Sequence, residues 1–402
     1  MTEEIPTPDG GIFSVFQPIV ELDSDRVVGY EALARWDDPA MSDVSRVFQE
    51  ARQEGYLAEL DWSCRIAAFK GALEAGLDRD HALFVNVEPT SLRSGDAPHG
   101  FEAVLRRAEQ ELKVVIELTE RSLLDGPANV LWLVNWARER GWGVALDDVG
   151  ANPDSLALLP FVAPDVIKLD LNLIQQTPDR DQARTITAVM AHAERTSAVL
   201  LAEGIETPAH REQALSLGAT LGQGWLLGYP GPLVPAGPGS SIRFPAYLNG
   251  VPQTPFELVR KSIPTRTASK QLLQTLCRQL EIQATNQMDP PVLLSAYQTA
   301  EQFTAATARH YTQLAATCPI VGALAVGMPE EPAPGVRGAA LEPDDPLVGE
   351  WTVVLVGAHY AAAFIARDIG DSGPDLERRF DYTITHDRDI VIRAGRSLMS
   401  RL

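Results

Sequence analysis

WGVALDDVG (142–150), DVIKLDL (165–171) and VLLAEGI (199–205) share one design: a short apolar run, rich in β-branched residues, that closes on an acid. The same grammar recurs upstream in VFQPIVEL (15–22), ALFVNV (82–87) and VVIELTE (114–120). Between these runs, residues 61–77, 101–111, 127–140, 180–195 and 207–217 carry apolar residues at helical spacing. Pro127 and Pro208 stand near first turns, where a missing N–H leaves no bond unmade. Strand runs alternating with helices predict repeated β-α units about a parallel sheet. Such units build an open doubly wound sheet or a closed eight-stranded barrel. No GxGxxG follows the first strand and GxxxxGK(S/T) is absent, so the nucleotide-binding versions of the open sheet lose their main support. In a barrel the acidic strand ends converge on one mouth, where barrel enzymes place their chemistry.

Working outward, 402 residues exceed what one core usually supports and predict two domains. Residues 230–256 are dense in Pro, Gly and Ser and mark the boundary. The expected division is a tail over 1–11, a barrel over 12–240, a linker over 241–267 and a smaller α/β domain over 268–402. In the last, 268–286 and 295–317 read as helices, and 320–328, 351–357 and 380–386 as strands. The segment 329–346 reads as a surface loop too rich in Pro and acids to pack, and IVIRAGRSLMSRL (390–402) as a packing helix.

A formal charge of −20 argues against nucleic acid as a partner, because binding a long polyanion draws on clustered Lys and Arg. A small anionic substrate stays open, since one basic residue and bound cations invert the field locally. Cys64, Cys277 and Cys318 have no ligand spacing, which suits a reducing compartment and gives no zinc site. The acidic, polar first residues and the lack of an apolar run of about 18 residues predict a cytoplasmic protein without membrane attachment.

The acids and amides at the strand ends are Glu31, Asn86, Glu117, Glu120, Asp147, Asp148, Asp170, Glu203 and Glu206. Singly, each has a plain structural explanation: Asp147 and Asp148 before Gly150 suit a turn, and Asn86 a helix cap. Gathered in one mouth they would repel one another, so the arrangement implies cations among them. Oxygen-only ligation favours Mg²⁺ or Mn²⁺ over zinc. Two such ions are the usual apparatus for cleaving a phosphodiester. Lys168, on the same run as Asp170, is placed to serve an attacking water, and Arg35 to grip a phosphate oxygen.

YEALAR, FVNV, IELTER, ALDDVG, VIKLD, AEGIET and LGQGWLLGYP, in that order over residues 30–230, resemble the successive motifs of the EAL phosphodiesterases. The resemblance implies a modified TIM (β/α)₈ barrel with one antiparallel strand, and hydrolysis of cyclic di-GMP to linear pGpG with two divalent cations, Mg²⁺ or Mn²⁺. Carried over by motif, Glu31, Asn86, Glu117 and Asp147 ligate metal, Asp148 and Asp170 complete the second site, and Lys168 serves the water. Glu206 and Gln223 match positions around the site, Glu203 stands behind it, Leu33 and Arg35 contact the dinucleotide, and Glu120 holds the loop that follows Asp148. The family also implies a homodimer. That loop departs from the family's DDFGTGYSSL: here it reads DDVGANPDSL (147–156), with Val149 for the aromatic and Pro153 for the tyrosine. Pro153 stiffens a segment that couples metal, substrate and dimerisation in the family, which implies lower or differently regulated turnover. Residues 269–402 resemble the DICT sensory domains through SKQLLQTLCRQLEIQA, LLSAYQTAEQF, GEWTVVLVGAHYAAAFIARDI and RRFDYTITHDRDIVIRAGRSLMSRL, which implies an unidentified signal or protein partner. Three functions remain open at this point: a hydrolase, a cyclic di-GMP receptor that has lost catalysis, and a silent scaffold.

Overall fold

The computed structural model describes residues 11–92, 101–150, 156–235, 237, 242, 254–285 and 289–402. The chain divides into two compact units, residues 1–152 with 164–249, and residues 153–163 with 250–402.

The first unit is a closed barrel of eight strands. They are β1 (Ile12–Glu21), β2 (Val27–Trp36), β3 (Ala82–Asn86), β4 (Lys113–Thr119), β5 (Gly143–Val149), β6 (Val166–Leu169), β7 (Val199–Ala202) and β8 (Leu221–Gly222). β1 pairs antiparallel with both β2 and β8, and every other ladder is parallel, so β1 is the one reversed strand. The helices between strands are α1 (Val44–Glu54), α2 (Leu57–Glu74), α3 (Glu102–Glu111), α4 (Glu120–Asp125) and α5 (Pro127–Glu139). α6 (Leu159–Val162) falls in the second unit, and α7 (Leu171–Gln175), α8 (Arg180–Thr196) and α9 (Pro208–Ser216) in the first. Pro127 and Pro208 both open their helices, as their spacing predicts.

Every barrel strand sends a buried residue to one interior cluster: Ile19, Val28, Phe84, Val115, Ala145, Val166, Leu201 and Leu221. Strand side chains alternate sides, so the residue two positions beyond an interior one points inward again, nearer the mouth. Two beyond Phe84, Val115, Ala145, Val166 and Leu201 stand Asn86, Glu117, Asp147, Lys168 and Glu203. The period of the strand thus carries five polar groups into the same opening.

The second unit holds α10 (Pro255–Arg260), β9 (Arg266–Ser269), α11 (Lys270–Thr285), β10 (Val292–Thr299), α12 (Ala305–Ala315), β11 (Val321–Val326) and β12 (Arg337–Ala340). β13 (Glu350–Val356), β14 (Ala361–Asp368), β15 (Arg379–Thr385) and α13 (Arg388–Met399) complete it. Its seven strands form one sheet in the order β12-β11-β10-β13-β14-β15-β9. Leu273 and Leu280 of α11 and Tyr311 and Leu314 of α12 pack with Leu293, Val353 and Phe364 of the sheet. On the opposite face, Val354 meets Gly395 of α13.

Two expectations for this unit need correction. Residues 295–299 belong to a strand, not to a helix, because β10 is buried on both faces and a continuous apolar run carries no period to separate the two states. The segment 329–346 does pack: β12 pairs with β11, and Ala333, Val336 and Leu341 are buried between its prolines and acids. β2, β8, α1 and β14 are elements beyond those read from the sequence. Among the described residues, no helix is long and apolar enough to cross a membrane.

Candidate active site

Lys168, fully buried at the mouth of the barrel, organises the site. Its Nζ lies 2.8 Å from Glu117, 2.9 Å from Asp147, 2.9 Å from Glu203 and 3.5 Å from Glu31. Four carboxyl groups from β2, β4, β5 and the end of β7 therefore face one ammonium. Burial alone would lower the Lys168 ammonium, but Glu117, Glu203, Glu31 and Asp147 outweigh it and hold it well above its ordinary value.

The acids divide by what surrounds them. Burial pushes Glu31 up, yet Lys168 and hydrogen bonds from Gln223 and Asn86 bring it below the usual carboxylate range. Glu117 goes the other way, raised by burial and then by the charge on Glu31. Burial also lifts Glu203 to about 8, and lifts Asp148 with help from Asp147. Ligand oxygens of Glu31, Glu117 and Asp147 all lie within 4.8 Å of one another, as do those of Asp147, Asp148 and Glu203. One ammonium cannot balance four carboxylates, and the convergent oxygens suit a hard divalent cation. Asn86 completes the set: its amide Nδ2 donates to Glu31 and Glu117, each at 3.2 Å.

Consecutive strand residues normally face opposite ways, yet Asp147 and Asp148 both serve this opening. The backbone makes this possible. The β5–β6 ladder shifts register between Leu146 and Val149, and Asp148 sits at φ +57°, a left-handed conformation that Asp tolerates better than most residues. On the far side, Gln223 donates to Glu31 at 2.7 Å and to Gln17 at 3.1 Å. Its position depends on Gly224, at φ +154°, where a Cβ would stand 2.3 Å from the Ile205 backbone.

Other sequence-predicted residues are placed more loosely. Asp170 caps α7 by accepting from the backbone of Asn172 at 2.8 Å, and its charge reaches Asp148. Glu206 is exposed before α9, with its backbone N–H directed at His210. Leu33 and Arg35 follow Glu31 on β2, and Arg35 lines a hollow of about 540 Å³ with Phe13, Trp36 and Tyr229. Glu120 opens α4, but its side chain lies outside the described residues, as does Pro153. Val149 is fully buried. Gln17 was not singled out by sequence reasoning. The signal lay in pairing, since the β1–β2 register sets Gln17 opposite Glu31.

A family model described as EAL domain matches residues 8–230, more than half of the chain. The chain belongs to the EAL domain family. A second model, "Sensory domain in DIguanylate Cyclases and Two-component system" (DICT), matches residues 256–368. Within the EAL family, the cyclic di-GMP phosphodiesterase RocR of Pseudomonas aeruginosa is 30% identical over 230 residues, 56% of this chain and 59% of that protein. The probable cyclic di-GMP phosphodiesterase PdeB of Escherichia coli is 29% identical over 220 residues, 52% of this chain and 41% of that one. Among solved structures, the Klebsiella pneumoniae BlrP1 manganese/cy-diGMP complex is 28% identical with a TM-score of 0.49, covering 56% of this chain and 57% of its own. The chain spans less than two thirds of the length of each of these proteins.

Proposed function

We propose that residues 12–240 form a phosphodiesterase that hydrolyses cyclic di-GMP to linear pGpG, and that residues 268–402 form a sensory domain that regulates it. The observation that carries the reading is the convergence of Glu31, Glu117, Asp147 and Glu203 on Lys168 at the mouth of an EAL barrel.

Glu31, Asn86, Glu117 and Asp147 would hold one divalent cation, Mg²⁺ or Mn²⁺, and Asp148 with Asp170 a second. Such ions activate water and stabilise the leaving oxygen of an in-line displacement. Lys168, held protonated by its neighbours, would orient the water through its positive charge instead of removing its proton. Glu203 secures Lys168 from behind. Gln223, with Gln17, fixes Glu31 in one orientation, and Glu120 steadies the loop after Asp148. Arg35 and Leu33 bind the dinucleotide, the guanidinium taking a phosphate oxygen, and Glu206 lies at the rim. In the reaction, water oxygen bonds to phosphorus and loses one proton to solvent, the P–O3′ bond breaks, and the freed 3′ oxygen takes a proton from solvent, so that one water is consumed.

Turnover in ¹⁸O-water tests this chemistry: the 5′-phosphate of pGpG should carry one label, and label on the 3′ hydroxyl would refute attack at phosphorus. The loop sequence DDVGANPDSL supports a second reading, a receptor that binds cyclic di-GMP without cutting it. Calorimetric binding in Ca²⁺ without product in Mn²⁺ would select the receptor.

A further inference from the structure

We propose that the cavity between α11 and α12 in the second unit binds a small organic cation of the amine or amidine class, anchored on Glu281. The cavity has a volume of about 1080 Å³, ample for a drug-sized molecule. This inference is independent of the phosphodiesterase reading and stands or falls separately from it.

Glu281, on the inner side of α11, is 7% exposed. Its Oε1 is the end point of a relay of donors: Tyr297 Oη donates to Tyr311 Oη at 3.1 Å, and Tyr311 Oη donates to Glu281 at 2.8 Å. The Cys277 thiol lies 3.9 Å from the same oxygen. Among the described residues Oε2 has no hydrogen bond, and the one basic group within ion-pair distance, His310 Nε2, is 3.7 Å away and itself buried without a hydrogen-bond partner. Thus Tyr311 orients the carboxyl, while its second oxygen is left to the cavity.

A carboxylate this buried is costly without a cation bound to it, and the donors on Oε1 do not remove that cost. Arg278 also lines the cavity; its charge reaches Glu281 and partly offsets the effect of burial, but the side chain is exposed and makes no ion pair with Glu281 within 4 Å among the described residues. Lys270, a third basic lining residue beside Arg278 and His310, is occupied by Asp375 at 2.7 Å. The remaining wall is chemically consistent with a cation. It includes the aromatic side chains of Tyr297, Trp351 and Phe380 and the amide of Gln274, beside the aliphatic Ile282 and Leu376, so a guest with a cationic head and an apolar body suits it. An ammonium or amidinium group would give Oε2 a charge-assisted hydrogen bond and lay its body against the aromatic wall.

The test is calorimetric titration of the full-length chain with benzamidine, tyramine and agmatine, beside neutral benzamide and anionic benzoate. Saturable binding of at least one cation is expected, without binding of benzamide or benzoate at the same millimolar concentrations. Glu281→Gln should weaken the cation by at least about ten-fold, the loss of one charge-assisted hydrogen bond. Arg278→Ala, on an exposed side chain, should leave cation binding equal or tighter. Three results would overturn the proposal: no binding by any of the three cations, equal binding in folded Glu281→Gln, or benzoate binding that Arg278→Ala abolishes.

Discussion

Replacing Lys168 by Met removes the one ammonium that, among the described residues, faces four carboxyl groups, while keeping the length of the side chain. Breaking a fully buried ion pair by removing one partner costs about 3–5 kcal/mol, because the other charge is left behind. For a unit of this size each kcal/mol moves the melting temperature by about 2–4 °C, so the metal-free barrel should melt about 6–20 °C lower. The loss should depend on pH. Without Lys168, Glu117 and Glu203 are driven further toward their protonated forms, so the variant takes up more protons on folding and its deficit grows as pH rises past the value of about 8 held by Glu203. A divalent cation should offset part of the deficit, by about 2.7 kcal/mol at a hundred times its dissociation constant. Differential scanning calorimetry of both proteins in chelator and in Mn²⁺, on either side of pH 8, measures all three terms. A metal-free deficit below about 1 kcal/mol, or one that shrinks toward alkaline pH, would refute the charge argument.

Glu31→Ala should lower turnover by at least about 100-fold with the fold intact, as circular dichroism would check; unchanged hydrolysis removes Glu31 from the metal site. In the wild-type protein Glu203 is raised from 4.5 to about 8, so its contribution to metal-free stability is full below 4.5 and is lost as pH rises toward 8. Chemical denaturation in chelator should show that decline, and Mn²⁺ should stabilise more at alkaline than at acidic pH because it competes with those protons. Gly224→Ala, which sets a Cβ against the Ile205 backbone at positive φ, should destabilise the barrel by about 1–3 kcal/mol and lower activity through Gln223. Gln17→Leu should raise KM or lower kcat without changing the melting temperature by more than about 2 °C, since it frees Gln223 without touching the core.

The strands that bear the chemistry are legible in the sequence because each is short, β-branched and closed by an acid, and the period of two then fixes which acids share an interior with Val115, Ala145 and Val166. That is why Glu117, Asp147 and Lys168 group together from their spacing alone. Gln17 is not legible in the same way. Its role depends on the antiparallel pairing of β1 with β2, a long-range fact that no local pattern contains. Nor does the sequence show that Asp148 adopts a left-handed backbone to join Asp147, because this follows from a register shift in the β5–β6 ladder. In the second unit, β10 lacks a period because both its faces are covered, and β12 lies concealed among prolines and acids. The Tyr297–Tyr311–Glu281 relay joins three elements whose sequences, taken apart, look like ordinary core.

The most direct measurement is chromatographic detection of pGpG after incubating the purified full-length chain with cyclic di-GMP and Mn²⁺, in parallel with Glu31→Ala and with chelator. The wild-type protein alone should yield pGpG. Intact cyclic di-GMP in every sample, from protein shown by calorimetry to bind both Mn²⁺ and the dinucleotide, would contradict the phosphodiesterase reading.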